Sequence, residues 1–137
     1  MAEAPLPEAR AWMMKEWRDL ETARRVAENE SPFYDVAAYH CQQAAEKAVK
    51  AFLAHHGKPF ERTHDIEVLT DVAAEVNADF SQLAEAADAL TPYATRFRYP
   101  NATFAIEPQP AECEEALEHA RAIYDFVLSN LPPEARP

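Results

Sequence analysis

The sequence predicts an all-α fold: an up-and-down antiparallel four-helix bundle with one additional short helix. Two observations carry that expectation. A single glycine stands in 137 residues, and no stretch alternates β-branched with polar side chains as a half-buried strand would. Alanine, leucine and glutamate instead recur at helical spacing, and the eleven prolines gather at the ends and between the helical stretches. The length suits one domain (1–137, with its ordered core at about 7–131) that buries a core without disulfide staples.

The first helix is expected from about Pro7 to Asn29. Proline fits an opening turn, and Ala9, Trp12, Met13, Trp17, Leu20, Ala23 and Ala27 keep the helical period. Ser31-Pro32 ends it. The second helix, Tyr34 to His56, is the element around which the chain is organised. Ala37, Ala38, Cys41, Ala44, Ala45, Ala48, Val49 and Phe52 share one face, small enough for neighbouring helices to approach closely. On the other face His40, Gln43, Lys47 and Lys50 form a ridge, with Glu46 four residues ahead of Lys50. Gly57 stands where a left-handed C-cap belongs, and His55 and His56 occupy the preceding turn, where the helix dipole favours positive charge.

Thr63-His64-Asp65 signals the start of a third, short helix whose apolar stripe is Ile66, Leu69, Ala73 and Val76. The fourth starts from a cap at Asp79 or Ser81 and carries Leu83, Ala86, Ala87, Leu90, Ala94 and Phe97. Pro92 either kinks it or opens a fresh turn. Tyr93 to Asn101 (YATRFRYPN) is the most basic and aromatic short stretch. Arg96 and Arg98 there suit a phosphate and Tyr93 and Tyr99 suit stacking on a base, although pairing with glutamates accounts for the arginines as well. The last helix runs from near Pro110 to Leu131, with Glu112, Glu114 and Glu115 at its amino end, before a frayed PPEARP tail.

The formal net charge of −11 opposes a broad electrostatic grip on nucleic acid and leaves room only for a local basic site. Cys41 and Cys113 fall on apolar helix faces and read as buried free thiols of a reducing compartment. No apolar run approaches the roughly 20 residues of a membrane span, and the amino terminus has no signal-peptide pattern, so the chain reads as cytoplasmic and without membrane partners. Glycine-rich phosphate loops, nucleophile elbows, Cys-x-x-Cys pairs and His-Glu-x-x-His are all missing, and Glu115-x-x-x-His119 has the wrong spacing for a di-metal bundle. No metal and no cofactor is therefore expected. Any nucleotide site has to be built from side chains: His40, Gln43, Lys47, Lys50, His64, Arg96, Arg98 and Tyr99.

His40-Cys-Gln-Gln-Ala-Ala-Glu-Lys-Ala-Val-Lys-Ala51, Thr63-His64-Asp65-Ile66 and Arg98-Tyr99-Pro100 closely resemble the small prokaryotic HEPN domains ("higher eukaryotes and prokaryotes nucleotide-binding"), and Trp17-Arg-Asp19-Leu20-Glu-Thr-Ala23 fits their first helix. The resemblance spans about Trp12 to Pro100. It implies a helical bundle that forms a homodimer or higher homo-oligomer. It also implies partnership with a minimal nucleotidyltransferase protein, often as a toxin–antitoxin pair, and a nucleotide or RNA as ligand. Many members are metal-independent RNases with an Arg-x4–6-His motif. Here no histidine follows Arg96 or Arg98 at that spacing; the next is His119. The leading expectation is thus a nucleotide-binding or nucleotidyltransferase-partner module, with an RNase of rearranged site and a purely structural bundle as alternatives.

Overall fold

The computed structural model describes residues 6–60, 62–96 and 108–137, and of residues 95 and 96 the backbone only. Among them lie α1 (Leu6–Glu28), α2 (Tyr34–His55), α3 (Ile66–Val76), a 3-10 segment (Ala78–Leu83), α4 (Ala84–Leu90), α5 (Tyr93–Arg96), α6 (Pro110–Ser129) and a closing 3-10 turn (Pro133–Ala135). The fold is the expected all-α bundle. Its arms are α1, α2, the α4–α5 arm and α6, and α3 is the short extra helix.

The helix ends follow local chemistry. Among the described residues Gly57 alone has positive φ, at 64°, and it lets the chain leave α2 without the clash that a Cβ would impose. The Asp65 carboxylate accepts from the Glu67 and Val68 amides at 3.0 and 3.4 Å, which satisfies two free donors of α3. At the start of α6 the Glu112 carboxylate reaches back to the Gln109 amide at 2.9 Å.

Two stretches depart from expectation. The fourth arm is not one helix: it opens as a 3-10 segment capped by Asn77, whose side chain accepts from the Asp79 amide, and Asp79 and Ser81 lie inside it. At Thr91-Pro92, by contrast, the structure takes one of the two expected outcomes, and α5 begins as a fresh turn. The tail is not frayed. Ala135 is fully buried, and the Arg10 guanidinium donates to the Arg136 carbonyl at 3.2 Å, tying the chain end to the start of α1.

α2 is central, packed by α1, α3, α5 and α6. Alanine permits this: Ala37, Ala38, Ala44, Ala45, Ala48 and Ala51 are all fully buried. Phe52 stacks against Phe80 with ring centroids 4.4 Å apart, and Phe80 meets Phe126, joining three arms. Val76, expected on the α3 stripe, is exposed. Cys41 and Cys113 are buried free thiols; burial pushes both pKa values up, so both remain protonated and unreactive. Among the described residues no helix is long and apolar enough to cross a membrane.

Candidate functional site

Because α2 is enclosed, most of its polar face lies inside the bundle. Gln42, Glu46 and Lys50 are buried, and Gln43, His40 and Lys47 are half-buried. Charges in such a place need partners, and two carboxylates supply them.

The first is Asp19 on α1. Its Oδ1 lies 2.8 Å from His40 Nδ1, and its Oδ2 accepts from Lys47 Nζ. Burial alone pushes the Asp19 carboxyl up. The hydrogen bonds and charges of His40 and Lys47 outweigh that burden and hold it below the usual range. An ionised Asp19 in turn orients the imidazole through Nδ1.

The second carboxylate is Glu46, on α2 itself. Lys50 Nζ donates to it at 2.8 Å, and His64 Nδ1 lies 3.1 Å from both its oxygens. Gln42 extends this group, donating to Glu46 at 3.4 Å and to the His64 carbonyl at 3.0 Å, while Gln43 donates to Gln42 at 2.9 Å. Lys50 also sits 5.3 Å from the Trp12 ring centroid, so its ammonium is held between a carboxylate and an indole face.

The structure thus brings His40, Gln43, Lys47, Lys50 and His64 onto one side of α2, in two carboxylate-centred clusters. It does so with acids rather than with arginines. Arg98 and Tyr99 lie outside the described residues, and of Arg96 only the backbone is described, closing α5 where that turn packs on α2. Side-chain exposure ranks the five: His64 64%, His40 28%, Lys47 23% and Lys50 9%, with Gln43 between buried and exposed. Lys50 therefore supports Glu46 from within, and the other four present the outer edge.

Sequence reasoning gave Asp19 no site role, and it missed Glu16 one turn earlier. Glu16 is fully buried, and neither carboxyl oxygen has a hydrogen-bond partner among the described residues. Burial, with a smaller push from Asp19, raises its pKa to about 9, so it is a neutral acid at pH 7. Both residues lie between Met13 and Ala23 on the buried side of α1, and two acids on an apolar stripe were the available signal. Among the described residues no group of three His, Cys, Asp or Glu side chains is placed to hold a metal ion.

A family model described as the HEPN domain matches residues 9–131. The chain belongs to the HEPN domain family. Two solved structures are similar to it. TT1696 from Thermus thermophilus is 30% identical, with 90% of this chain and 98% of that one covered and a TM-score of 0.73. ST0689, an archaeal HEPN homologue, is 28% identical, with 89% and 96% covered and a TM-score of 0.70. No curated protein sequence matches significantly. In this HEPN domain the motif string of α2 therefore does structural work as well as presenting polar groups. Glu46 and Lys50 are part of the packed interior, and His40 and Lys47 anchor α1 to α2 through Asp19.

Proposed function

We propose that this HEPN domain is a nucleotide-binding or nucleotidyltransferase-partner module of a two-component, toxin–antitoxin-like system, and that it works as a homodimer. The observation that carries the reading is the α2 ridge. A buried carboxylate, Glu46, and a half-buried one, Asp19, hold an imidazole and an ammonium each, where apolar side chains would pack at lower desolvation cost. His64, His40, Gln43 and Lys47 then offer preset donors at the edge of an acidic protein. An ammonium has three donors, and a bond to one carboxylate leaves others for phosphate oxygens. Arg96, Arg98 and Tyr99 complete the proposed site, the guanidiniums on phosphate and the phenol ring on the base.

The test is calorimetric titration of the purified chain with ATP and GTP, beside co-purification with any small nucleotidyltransferase encoded next to it. Binding is expected to weaken about tenfold in His64→Ala and in Arg98→Ala, the loss of one charge-assisted hydrogen bond. A folded wild-type chain that binds neither nucleotide nor nucleotidyltransferase overturns the reading.

A further inference from the structure

We propose that anion binding at the α2 ridge is proton-linked: the ridge holds a phosphate group more tightly when His40 and His64 are both protonated. The inference rests on the nucleotide reading above and adds the regulation of that site. It follows from the charges that the structure pairs. In the first cluster Asp19 meets Lys47 and His40; in the second Glu46 meets Lys50 and His64. Each carboxylate is thus cancelled by one ammonium. With neutral imidazoles both clusters sum to zero, and the Gln42 and Gln43 amides that extend the second add no charge. With imidazoliums each cluster carries one net positive charge.

That difference decides what the ridge attracts. The chain has a formal net charge of −11 with its histidines neutral, so an anion meets repulsion from the molecule as a whole. A ridge of zero net charge does little to offset it. The tautomer acts in the same direction. An ionised carboxylate only accepts, so each Nδ1 that meets one carries the hydrogen. In the neutral ring Nε2 is then an acceptor, which a phosphate oxygen does not bond; in the imidazolium it is a donor. The surroundings of the two rings leave this balance in place. His40 has Asp19 on α1, Lys47 on α2 through that carboxylate, and the Tyr39 ring at 5.6 Å; Glu16, one turn from Asp19, is neutral at pH 7. His64 has Glu46 with Lys50 on α2, while the carboxylate of the next residue, Asp65, is turned to the Glu67 and Val68 amides. Arg96 and Arg98, assigned to the same site above, keep their charge at every pH and give a constant share of the affinity.

Calorimetric titration of the full chain with ATP tests this at about pH 6 and about pH 8.5, values that bracket the ordinary imidazole range. Each titration is run in two buffers of different ionisation enthalpy, which reads the protons exchanged. Affinity is expected to be about tenfold higher or more on the acid side, the worth of one charge-assisted hydrogen bond. Protons should be taken up on binding. The terminal phosphate of ATP also gains a proton toward acid pH, but this lowers the charge of the ligand and acts against the expected trend. His40→Gln and His64→Gln should each remove part of the difference between the two pH values, and the double exchange all of it. Circular dichroism checks the fold, and the 64% exposure of the His64 side chain makes His64→Gln the safer variant. A wild type that binds ATP equally at both pH values, with no proton uptake, overturns the linkage and leaves the nucleotide reading standing. So does a pH dependence that survives the double exchange. A wild type that binds neither ATP nor GTP at either pH overturns the linkage and the nucleotide reading together.

Discussion

Glu16 and Asp19 sit one turn apart on the same side of α1, and they meet opposite fates. Both are taken out of water by α1 packing against its neighbours. Asp19 finds an imidazole and an ammonium on α2, keeps its charge and ties two helices together. Glu16 finds no hydrogen-bond partner among the described residues and gives up its charge, with a pKa near 9. The charges around it do not rescue its ionisation: Asp19 and Asp125 oppose it, and Arg121 on α6 and Lys47 on α2, which favour it, do not overcome burial. The difference teaches that burial on its own neutralises a carboxyl, and that only a donor at hydrogen-bond distance reverses the sign.

The largest effect that would break this comparison belongs to Glu16→Gln. The folded pKa lies above the ordinary 4.5, so its contribution to stability is complete below about pH 4.5 and is lost as pH rises toward 9. At about 1.36 kcal/mol per pH unit, the loss reaches about 3 kcal/mol by pH 7. Glutamine mimics the neutral acid and does not titrate. Urea unfolding is expected to show the two chains alike near pH 4.5, and the variant more stable by about 3 kcal/mol at pH 7. Stability curves that stay parallel from pH 4.5 to 9 would mean that Glu16 is not held neutral by the fold.

Lys47→Met sharpens the contrast by moving Asp19 toward the condition of Glu16. It removes the ammonium and leaves a half-buried carboxylate with only His40. The expected cost is about 2 kcal/mol, below the 3–5 kcal/mol of fully buried pairs because Lys47 keeps 23% side-chain exposure. The Asp19 carboxyl should rise from its depressed value, which a carbon-detected side-chain titration reads directly. In the wild type its depressed pKa contributes stability that is present above the ordinary value of 3.8 and lost as pH falls through the folded one. The variant should lose that acid-side dependence. A carboxyl that stays depressed without Lys47 would assign the effect to His40 alone.

Much of this architecture is legible in the sequence because it is local. Gly57 after α2, Asp65 before α3 and Pro110 at the start of α6 each act within a turn of their own position, and the limits of these helices fall within two residues of expectation. The 3-10 opening of the fourth arm was not legible. Over the six residues from Ala78 to Leu83 a period of three and one of 3.6 place the apolar side chains alike, and Asn77 was one polar residue among several. The site divides in the same way. The ridge of α2 can be drawn from spacing, whereas the pairing of Asp19 with His40 and Lys47 spans 21 and 28 residues and depends on the packing register of two helices. Glu16 was hidden for a different reason: it is one of 24 acidic residues, and its place on the apolar stripe of α1, the one signal it offers, does not say whether a partner waits there.

The smallest effect is expected at Glu46, the third acid, whose two partners differ in burial. Lys50 is enclosed with it, but the His64 side chain is 64% exposed although its Nδ1 lies 3.1 Å from both carboxylate oxygens. An exposed imidazole is solvated almost as well without the carboxylate, so His64→Ala should cost no more than about 0.5 kcal/mol. The Gln42 bond to the His64 carbonyl survives the change, since it uses the backbone, and it keeps the approach to α3 in place. Thermal and urea melts of His64→Ala and Lys47→Met side by side decide the matter. A cost at His64 equal to that at Lys47 would show that partner exposure does not set the strength of these pairs. A small cost there, joined to a clear loss of nucleotide affinity, would separate what holds α2 in the bundle from what its outer edge offers to a ligand.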